Sequence, residues 1–149
     1  MKKENIKKLI LNIAITLVLG SIVGLITKDS MKSFEVLNKP KLSPPGYLFP
    51  IVWSILYILM GISSYLIKDK NKKEIYYVAL FFNLFWSIIF FVLKLRLVAF
   101  LWLIVLIILV IRMIISFYKE NKLAGLLNIP YLLWLFFAGY LNLTIYLLN

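Results

Sequence analysis

Five long uncharged stretches run through the chain, and they leave few folds open to it. No charged residue occurs in residues 9–27, 46–67, 75–93, 97–111 and 123–149. A transmembrane helix needs about 20 mainly apolar residues. Four stretches reach or approach that length, and the one that begins at Leu97 does so over about 97–118 if Arg112 lies near its end. The sequence therefore predicts an all-α integral membrane protein, a bundle of five transmembrane helices in a single domain covering residues 1–149.

Short charged segments separate the expected helices, with one exception. The helices are placed at about 7–27, 46–67, 74–94, 97–118 and 123–148. The exception is residues 28–45, a long connection that contains Pro40, Pro44 and Pro45. Proline fixes φ and restricts the residue before it, which argues against a floppy spacer. Because long ordered loops often cover binding sites, we predict that residues 28–45 form a lid, with a plain spacer as the alternative.

The excess of basic residues is explained most simply by a membrane. The chain has 17 lysine and arginine residues against 6 acidic ones, a net charge of +11. Five spans put the termini on opposite sides, with ten basic residues on the N-terminal side and six on the other. The positive-inside rule then predicts a cytoplasmic N-terminus and an external C-terminus, in what we expect to be a bacterial plasma membrane. The expected partner of these charges is the lipid bilayer, and no nucleic acid partner is expected.

Residue types needed for conventional catalysis are missing from the sequence. It contains no cysteine and no histidine, which removes thiolate chemistry, the commonest general base and the commonest transition-metal ligand. The six acidic residues all lie outside the uncharged stretches, so no intramembrane carboxylate is available for proton- or sodium-coupled transport. No nucleotide-binding or zinc-protease motif occurs. We therefore predict no metal site, no required cofactor and no conventional active site.

Aromatic and amide residues recur at helical spacing in the second, third and fifth expected helices. These residues are Trp53 and Tyr57, then Asn83, Trp86 and Phe90, then Tyr131, Trp134 and Ala138. Spacings of three and four place each group on one helix face. The faces predict an aromatic pocket for a flat hydrophobic ligand, beneath the turn at Pro44 and Pro45. Simpler alternatives remain for each group: a packed helix core, an interhelical hydrogen bond from Asn83, or close helix packing at Ala138.

Glycine and proline positions predict how the helices pack and bend. Gly20 and Gly24 are about one turn apart in the first helix, where two glycines let another backbone come close. The pair predicts either a homodimer face or a packing face inside the bundle, and the sequence does not choose between them. Pro130 falls inside the expected fifth helix, where it removes the hydrogen bond to the Leu126 carbonyl and should kink the helix.

Three stretches carry longer motifs. The first carries Leu37-x-Lys39-Pro40-x-x-x-Pro44-Pro45, then Phe49, then Val52-Trp53-x-x-Leu56-Tyr57-x-x-Met60-Gly61. The second carries Asn83-x-x-Trp86-Ser87 and Phe90-Phe91. The third carries Pro130-Tyr131-x-x-Trp134-x-x-Phe137-Ala138-x-x-Leu141-Asn142. In order and spacing, these motifs together resemble the TspO/MBR family, the tryptophan-rich sensory proteins and translocator proteins.

The resemblance implies a five-helix bundle, commonly dimeric, with a ligand pocket beneath the first loop. Members of the family bind porphyrins such as protoporphyrin IX, and some bind haem, so a porphyrin is the implied ligand. The implied pocket residues are Trp53, Tyr57, Asn83, Trp86, Phe90, Trp134 and Ala138. Trp53 and Trp134 also match the tryptophans linked to light-dependent porphyrin breakdown in some bacterial members. Leu42 stands where many members have tryptophan, so we expect a less aromatic pocket roof.

Three functions remain open from the sequence. The first is a receptor-like or transporter-like membrane protein that binds porphyrins, for tetrapyrrole handling or stress signalling. The second is an enzyme that degrades protoporphyrin IX with light and oxygen, in which Trp53 and Trp134 are the catalytic, redox-active side chains. The third is a regulatory membrane module that acts as a homodimer.

Overall fold

The structure is a computed structural model that describes residues 2–149. Its helices are α1 (Lys3–Thr27), α2 (Met31–Glu35), α3 (Leu48–Leu66), α4 (Lys70–Ser87), α5 (Arg96–Glu120), α6 (Lys122–Leu126) and α7 (Ile129–Leu148). A 3-10 turn at Lys28–Ser30 joins α1 to α2, and a π-helical turn at Ile88–Val92 extends α4. Five segments are long and apolar enough to cross a membrane: Lys3–Glu35, Leu48–Leu66, Lys70–Val92, Arg96–Glu120 and Lys122–Leu148. The predicted all-α fold with five membrane-length helices is confirmed.

Two of the helices begin several residues before the charge-free stretches that predicted them. α1 begins at Lys3 and α4 begins at Lys70, so both start among lysines. Asp69 caps α4, because its side chain accepts a hydrogen bond from the Asn71 N–H at 2.8 Å. A charged residue ends an apolar stretch but not the backbone hydrogen bonding of a helix, which continues where the helix leaves the hydrocarbon. Hydrophobicity therefore locates the spans but underestimates helix length at these two ends.

Pro130 does not kink a helix, contrary to the prediction. The fifth span is broken at residues 127–128 into α6 and α7, and Pro130 is the second residue of α7. A proline in the first turn costs little, because its missing N–H would have no partner within the helix. The Leu132 N–H bonds the Asn128 carbonyl at 3.0 Å, so α7 is hydrogen-bonded from its first turn. The Asn128 side chain donates to Ser63 Oγ at 2.7 Å, which ties the break to α3.

Helix α1 packs along α3, and polar and small residues set the contact. Thr16 Oγ1 donates a hydrogen bond to the Tyr57 carbonyl at 2.7 Å, across the two helices. Gly61 of α3 faces the α1 backbone so closely that a Cβ added there would lie 2.5 Å from Ile13 Cα. Small residues at such a contact let two helix backbones approach each other. This pair of helices forms one wall of the bundle beside the aromatic residues of α3.

Gly20 and Gly24 do not share one role in the structure. The ring of Tyr57 lies directly against Gly20, so that a Cβ added there would overlap the ring. Among residues 2–149, no atom beyond the local helix lies within 4 Å of the position a Gly24 Cβ would take. Gly20 therefore serves packing inside one chain, which was the second alternative for this pair. Only Gly24 leaves an open notch on α1.

The connection at residues 28–45, here called the covering segment, is partly helical and is fixed at several points. The Lys39 ammonium donates to the carbonyls of Phe34 at 3.1 Å and Glu35 at 2.9 Å, which satisfies the C-terminal end of α2. Asn38 exchanges two hydrogen bonds with Asn149, at 2.9 and 3.2 Å. The segment is thereby anchored to the end of α7, and it brings Phe34 into the bundle.

Candidate functional site

Seven aromatic side chains meet beneath the covering segment, and we call them the aromatic cluster. Its members come from α2, α3, α4, the π-helical turn and α7: Phe34, Phe49, Trp53, Trp86, Phe90, Phe91 and Trp134. Four of these side chains, Trp53, Trp86, Trp134 and Phe90, are among the ligand-binding residues predicted from helical spacing and the family motifs. The structure brings those four together, although they lie on three different spans.

The rings of the cluster meet mainly edge to face. Trp53 and Trp134 have ring centroids 6.5 Å apart and are perpendicular, and Phe49 meets Trp134 edge-on at 5.9 Å. Trp86 instead stacks on Phe90 at 5.4 Å. Such arrangements match the quadrupoles of aromatic rings, and each pair adds about 0.5–1.5 kcal/mol beyond burial. The cluster presents ring faces and edges on several sides, which suits a large flat aromatic ligand.

A buried hydrogen-bonded chain of three side chains lies next to the cluster. Tyr57 OH donates to Asn83 Oδ1 at 2.9 Å, and Asn83 Nδ2 donates to Tyr131 OH at 2.8 Å. Trp53 stacks on Tyr57 at 5.6 Å and meets Tyr131 edge-on at 6.2 Å. The structure thus gives Asn83 the interhelical hydrogen bonds that were one alternative for it. The two tyrosines pack against Trp53, and Asn83 links them. None of the three residues lines a cavity next to the cluster.

A second pair of amide contacts positions the other side of the cluster. Trp86 Nε1 donates to Asn142 Oδ1 at 3.0 Å, and Asn142 Nδ2 donates to the Arg96 carbonyl at 2.7 Å. Both ends of the Asn142 amide are engaged, since its oxygen accepts one bond and its amino group donates another. The indole of Trp86 is therefore locked between α4, α5 and α7, with Phe90 stacked on it.

Two cavities adjoin the cluster, and they differ greatly in size. The inner cavity holds only about 10 Å³, and its walls include Phe34, Trp53, Trp134 and Ala138. The outer cavity holds about 330 Å³ and lies between α1, the covering segment and the start of α3. Ligand pockets usually measure about 300–1,000 Å³. The outer cavity reaches this range, whereas the aromatic side chains themselves fill the inner one.

Phe34 is the side chain that closes the inner cavity from above. It is only 2% exposed, and its ring lies 5.6 Å from Phe49, 6.2 Å from Phe90 and 5.5 Å from Phe91. It reaches this position from α2, outside the helices that carry the other rings. A side chain of the covering segment therefore stands among the rings contributed by the long helices and the π-helical turn.

The two prolines predicted at the site lie away from both cavities. Pro44 is half-buried and Pro45 is exposed, whereas Gly46 and Tyr47, which follow them, line the outer cavity. Leu42 is 71% exposed, so it contributes nothing to a roof over the cluster. The expectation of a less aromatic pocket roof stays a prediction, and in this structure Leu42 takes no part in either cavity.

Sequence reasoning missed several residues of the site. Phe34 carried a signal, since it is the only aromatic residue between Lys28 and Pro45. Arg96 carried none, because it looked like an ordinary loop charge. In the structure its guanidinium lies 5.3 Å from the Phe90 ring centroid, and its Nε is buried without a hydrogen-bond partner within residues 2–149. A cation thus stands at the edge of the cluster.

The chemistry of the site follows from these side chains. The Trp134 Nε1 is buried and has no hydrogen-bond partner within residues 2–149, so one donor in the cluster is unused. In the part of the chain that the structure describes, no three His, Cys, Asp or Glu side chains come together in a way that could hold a metal ion. The arrangement is suited to burying and stacking a flat ligand and to meeting a negative charge at Arg96.

Comparison with known proteins agrees with the motifs. The TspO/MBR family pattern matches residues 12–148. A tryptophan-rich protein TspO of Archaeoglobus fulgidus is 38% identical over 152 residues, which cover 97% of this chain and 99% of that protein. A protein of the same name from Chlorobaculum tepidum is 37% identical over 124 residues, 78% of each chain. A translocator protein homolog of Schizosaccharomyces pombe is 33% identical over 128 residues, 79% of this chain and 78% of that one. The family resemblance is confirmed.

Proposed function

The chain belongs to the TspO/MBR family, and from that premise we propose that it is an integral membrane protein that binds porphyrins, protoporphyrin IX and haem among them, within the aromatic cluster. The observation that carries the proposal is the convergence of seven rings from four helices and the π-helical turn beside a cavity of about 330 Å³. The role that fits such a protein is receptor-like or transporter-like, in tetrapyrrole handling or stress signalling.

Binding requires the covering segment to move, because an inner cavity of about 10 Å³ holds no tetrapyrrole. Withdrawal of Phe34 would join the inner cavity to the outer one, since Phe49, Trp53 and Phe91 line both. The bound macrocycle would then lie against Trp53, Trp134 and Ala138. Because the chain has no histidine and no cysteine, binding would rest on stacking and burial and would not require a central metal.

Replacing Trp53 or Trp134 by phenylalanine is expected to weaken protoporphyrin IX binding about two- to tenfold. The substitution keeps an aromatic ring but removes part of its contact area and the indole N–H, and one aromatic contact is worth about 0.5–1.5 kcal/mol. The measurement is a titration of the detergent-solubilised protein, followed by quenching of its tryptophan fluorescence.

Trp102→Phe is the matched control for this titration, because it also removes one of the four tryptophans. Trp102 lies outside the cluster, where its Nε1 donates to the Phe82 carbonyl at 2.7 Å. We expect the affinity of this variant to equal that of the wild type. Wild-type affinity in both cluster variants would falsify the assignment of the pocket.

Arg96→Gln is expected to weaken protoporphyrin IX binding about tenfold while leaving its dimethyl ester unaffected. Protoporphyrin IX carries two carboxylates, and a charge-assisted hydrogen bond contributes about 1.5–3 kcal/mol. The ester removes those charges, so it should bind wild type and variant alike. The Asn142 hydrogen bond uses the Arg96 backbone carbonyl and survives the substitution. An equal loss of affinity for acid and ester would rule out a carboxylate contact at Arg96.

The second candidate function is light-dependent degradation of the bound porphyrin. The observation that favours it is the closeness of two indoles, Trp53 and Trp134, whose ring centroids are 6.5 Å apart. Under illumination in air, the porphyrin absorbance is expected to decay faster with the protein than in detergent alone, and more slowly with either Trp→Phe variant. If the absorbance decays at the same rate as in detergent alone, the protein binds the porphyrin but does not degrade it.

Gly24 is the one position of the glycine pair at which we propose a homodimer contact, because Tyr57 of the same chain covers Gly20. In the third candidate, the regulatory module, a helix of a second copy would pack at Gly24, at the rim of the outer cavity that Gly24 lines. Cross-linking in native membranes distinguishes this arrangement, because Gly24→Leu would then abolish the dimer.

A further inference from the structure

A further cavity, separate from the two that adjoin the aromatic cluster, lies at the opposite ends of α3 and α4. It measures about 660 Å³ and opens where α1 begins, α3 ends, α4 begins and α5 ends. Three lysines face it, Lys8, Lys68 and Lys73, together with Asn5 and Asn121. We propose that this basic cavity binds a phosphate-bearing anion, in the membrane the headgroup of an anionic phospholipid.

The three lysines are available to a ligand. Elsewhere in the chain the Lys39 ammonium is used structurally, since it donates to two backbone carbonyls. Within residues 2–149, the ammonium groups of Lys8, Lys68 and Lys73 donate no hydrogen bond to protein. An ammonium group offers three donors, so the lysines that face the cavity carry unused donors as well as charge.

The carboxylates of Glu120 and Asp69, which adjoin the cavity residues Asn121 and Lys68 in sequence, are occupied by backbone groups. Glu120 accepts hydrogen bonds from the N–H groups of Lys68 at 2.7 Å and Asp69 at 3.3 Å. Asp69 in turn caps α4 by accepting from the Asn71 N–H at 2.8 Å. In the described part of the chain no acidic residue lines the cavity. These carboxylates hold the α3–α4 turn and the end of α5 together, and they form no ion pair with the three lysines.

Amide groups complete the donor set of the basic cavity. Asn121 Oδ1 accepts from the Ala124 N–H at 3.2 Å, so its amino group remains a donor. Asn5 adds a second amide, one turn before Lys8. Several converging N–H donors and positive charges fit the oxygens of a phosphate. A lone carboxylate would use fewer of them.

The position of the cavity favours a lipid as the source of the phosphate. It lies at the ends of four apolar spans, where a span that crosses the hydrocarbon would meet the headgroups, and Leu66 contributes an apolar wall. Juxtamembrane lysines attract anionic lipids, each by about 1 kcal/mol. Here three such lysines face one cavity, which distinguishes a site from a diffuse basic surface.

The test is competitive lipid binding to the full-length protein in detergent, read by native mass spectrometry. Equimolar phosphatidylglycerol and phosphatidylcholine are added to wild type, to K8Q/K68Q/K73Q and to K3Q/K70Q/K119Q. The two triple variants have equal net charge, and the second set lies on the same end but outside the cavity. Matching thermal midpoints of the two variants establish that both are folded.

We expect wild type to retain one phosphatidylglycerol in preference to phosphatidylcholine. The cavity variant should lose roughly a hundredfold in affinity, about fivefold for each lysine, while the control variant stays near wild type. Equal losses in both variants, or no preference for phosphatidylglycerol in wild type, would overturn the proposal. Millimolar inorganic phosphate distinguishes the sources: displacement of the lipid identifies free phosphate as a ligand of the same site, and no displacement identifies the lipid headgroup.

Discussion

Phe34→Ala is expected to speed the association of protoporphyrin IX about ten- to a hundredfold. Phe34 is 2% exposed and fills the space that the proposed ligand would occupy. Burying a phenylalanine side chain stabilises the closed state by about 1.5–3 kcal/mol. The wild type must give up this stabilisation each time the site opens. The apparent affinity of a site falls with the fraction of molecules that are open. Removing the ring raises that fraction.

Stopped-flow quenching of tryptophan fluorescence measures the association rate directly. Val36→Ala is the matched control, because Val36 lies two residues away in the same segment and is 84% exposed. The control should associate at the wild-type rate. If Phe34→Ala also binds at the wild-type rate, the covering segment does not obstruct the ligand. Slower binding would instead identify Phe34 as a wall of the site.

Gly61→Ala is expected to destabilise the protein by about 1–3 kcal/mol, the usual cost of overpacking a tight contact. The added Cβ would lie 2.5 Å from Ile13 Cα and 2.9 Å from the Asn12 carbonyl oxygen. Both are backbone atoms, so no side-chain rotation relieves the overlap. Helix α1 must move away from α3, which also lengthens the Thr16 bond to the Tyr57 carbonyl, 2.7 Å in the wild type.

The thermal midpoint of the detergent-solubilised variant measures this loss. Gly24→Ala serves as control, because its added Cβ meets no neighbouring atom within 4 Å among residues 2–149. Alanine is favoured over glycine in a helix by about 1 kcal/mol, so the control should unfold at or above the wild-type midpoint. Equal midpoints for the two variants would show that α1 and α3 are not held at this distance.

The sequence predicted most of the aromatic side chains that come together, but not how each helix face is oriented. Spacings of three and four correctly grouped Trp86 with Phe90, and the family motifs joined them to Trp53 and Trp134. Spacing fixes which residues share a helix face, but not how far that face is rotated toward a neighbour. Asn83 therefore looked like a pocket residue, whereas it bonds two tyrosines behind the wall.

Tertiary contacts decided the points that the sequence had left open or predicted wrongly. The spacing of Gly20 and Gly24 is compatible with packing against a second chain or against a helix of the same chain. Only the position of the Tyr57 ring shows that Gly20 packs within its own chain. Pro130 predicted a kink because the charge-free stretch hid the helix break at residues 127–128, which Asn128 and Ser63 stabilise across 65 residues of chain. Partners so far apart leave no local pattern.

The sequence by itself determined that the chain crosses a membrane five times and carries aromatic faces on three spans. It could do so because hydrocarbon thickness fixes span length, and because the cost of burying a charge in lipid keeps the middle of a span nearly free of charge. Only the tertiary structure decided that Phe34 packs among the rings of the aromatic cluster, that Arg96 stands at its edge and that three lysines share one cavity. These facts depend on how helices are rotated and paired, and in lipid that is settled by side-chain packing and interhelical hydrogen bonds rather than by hydrophobicity.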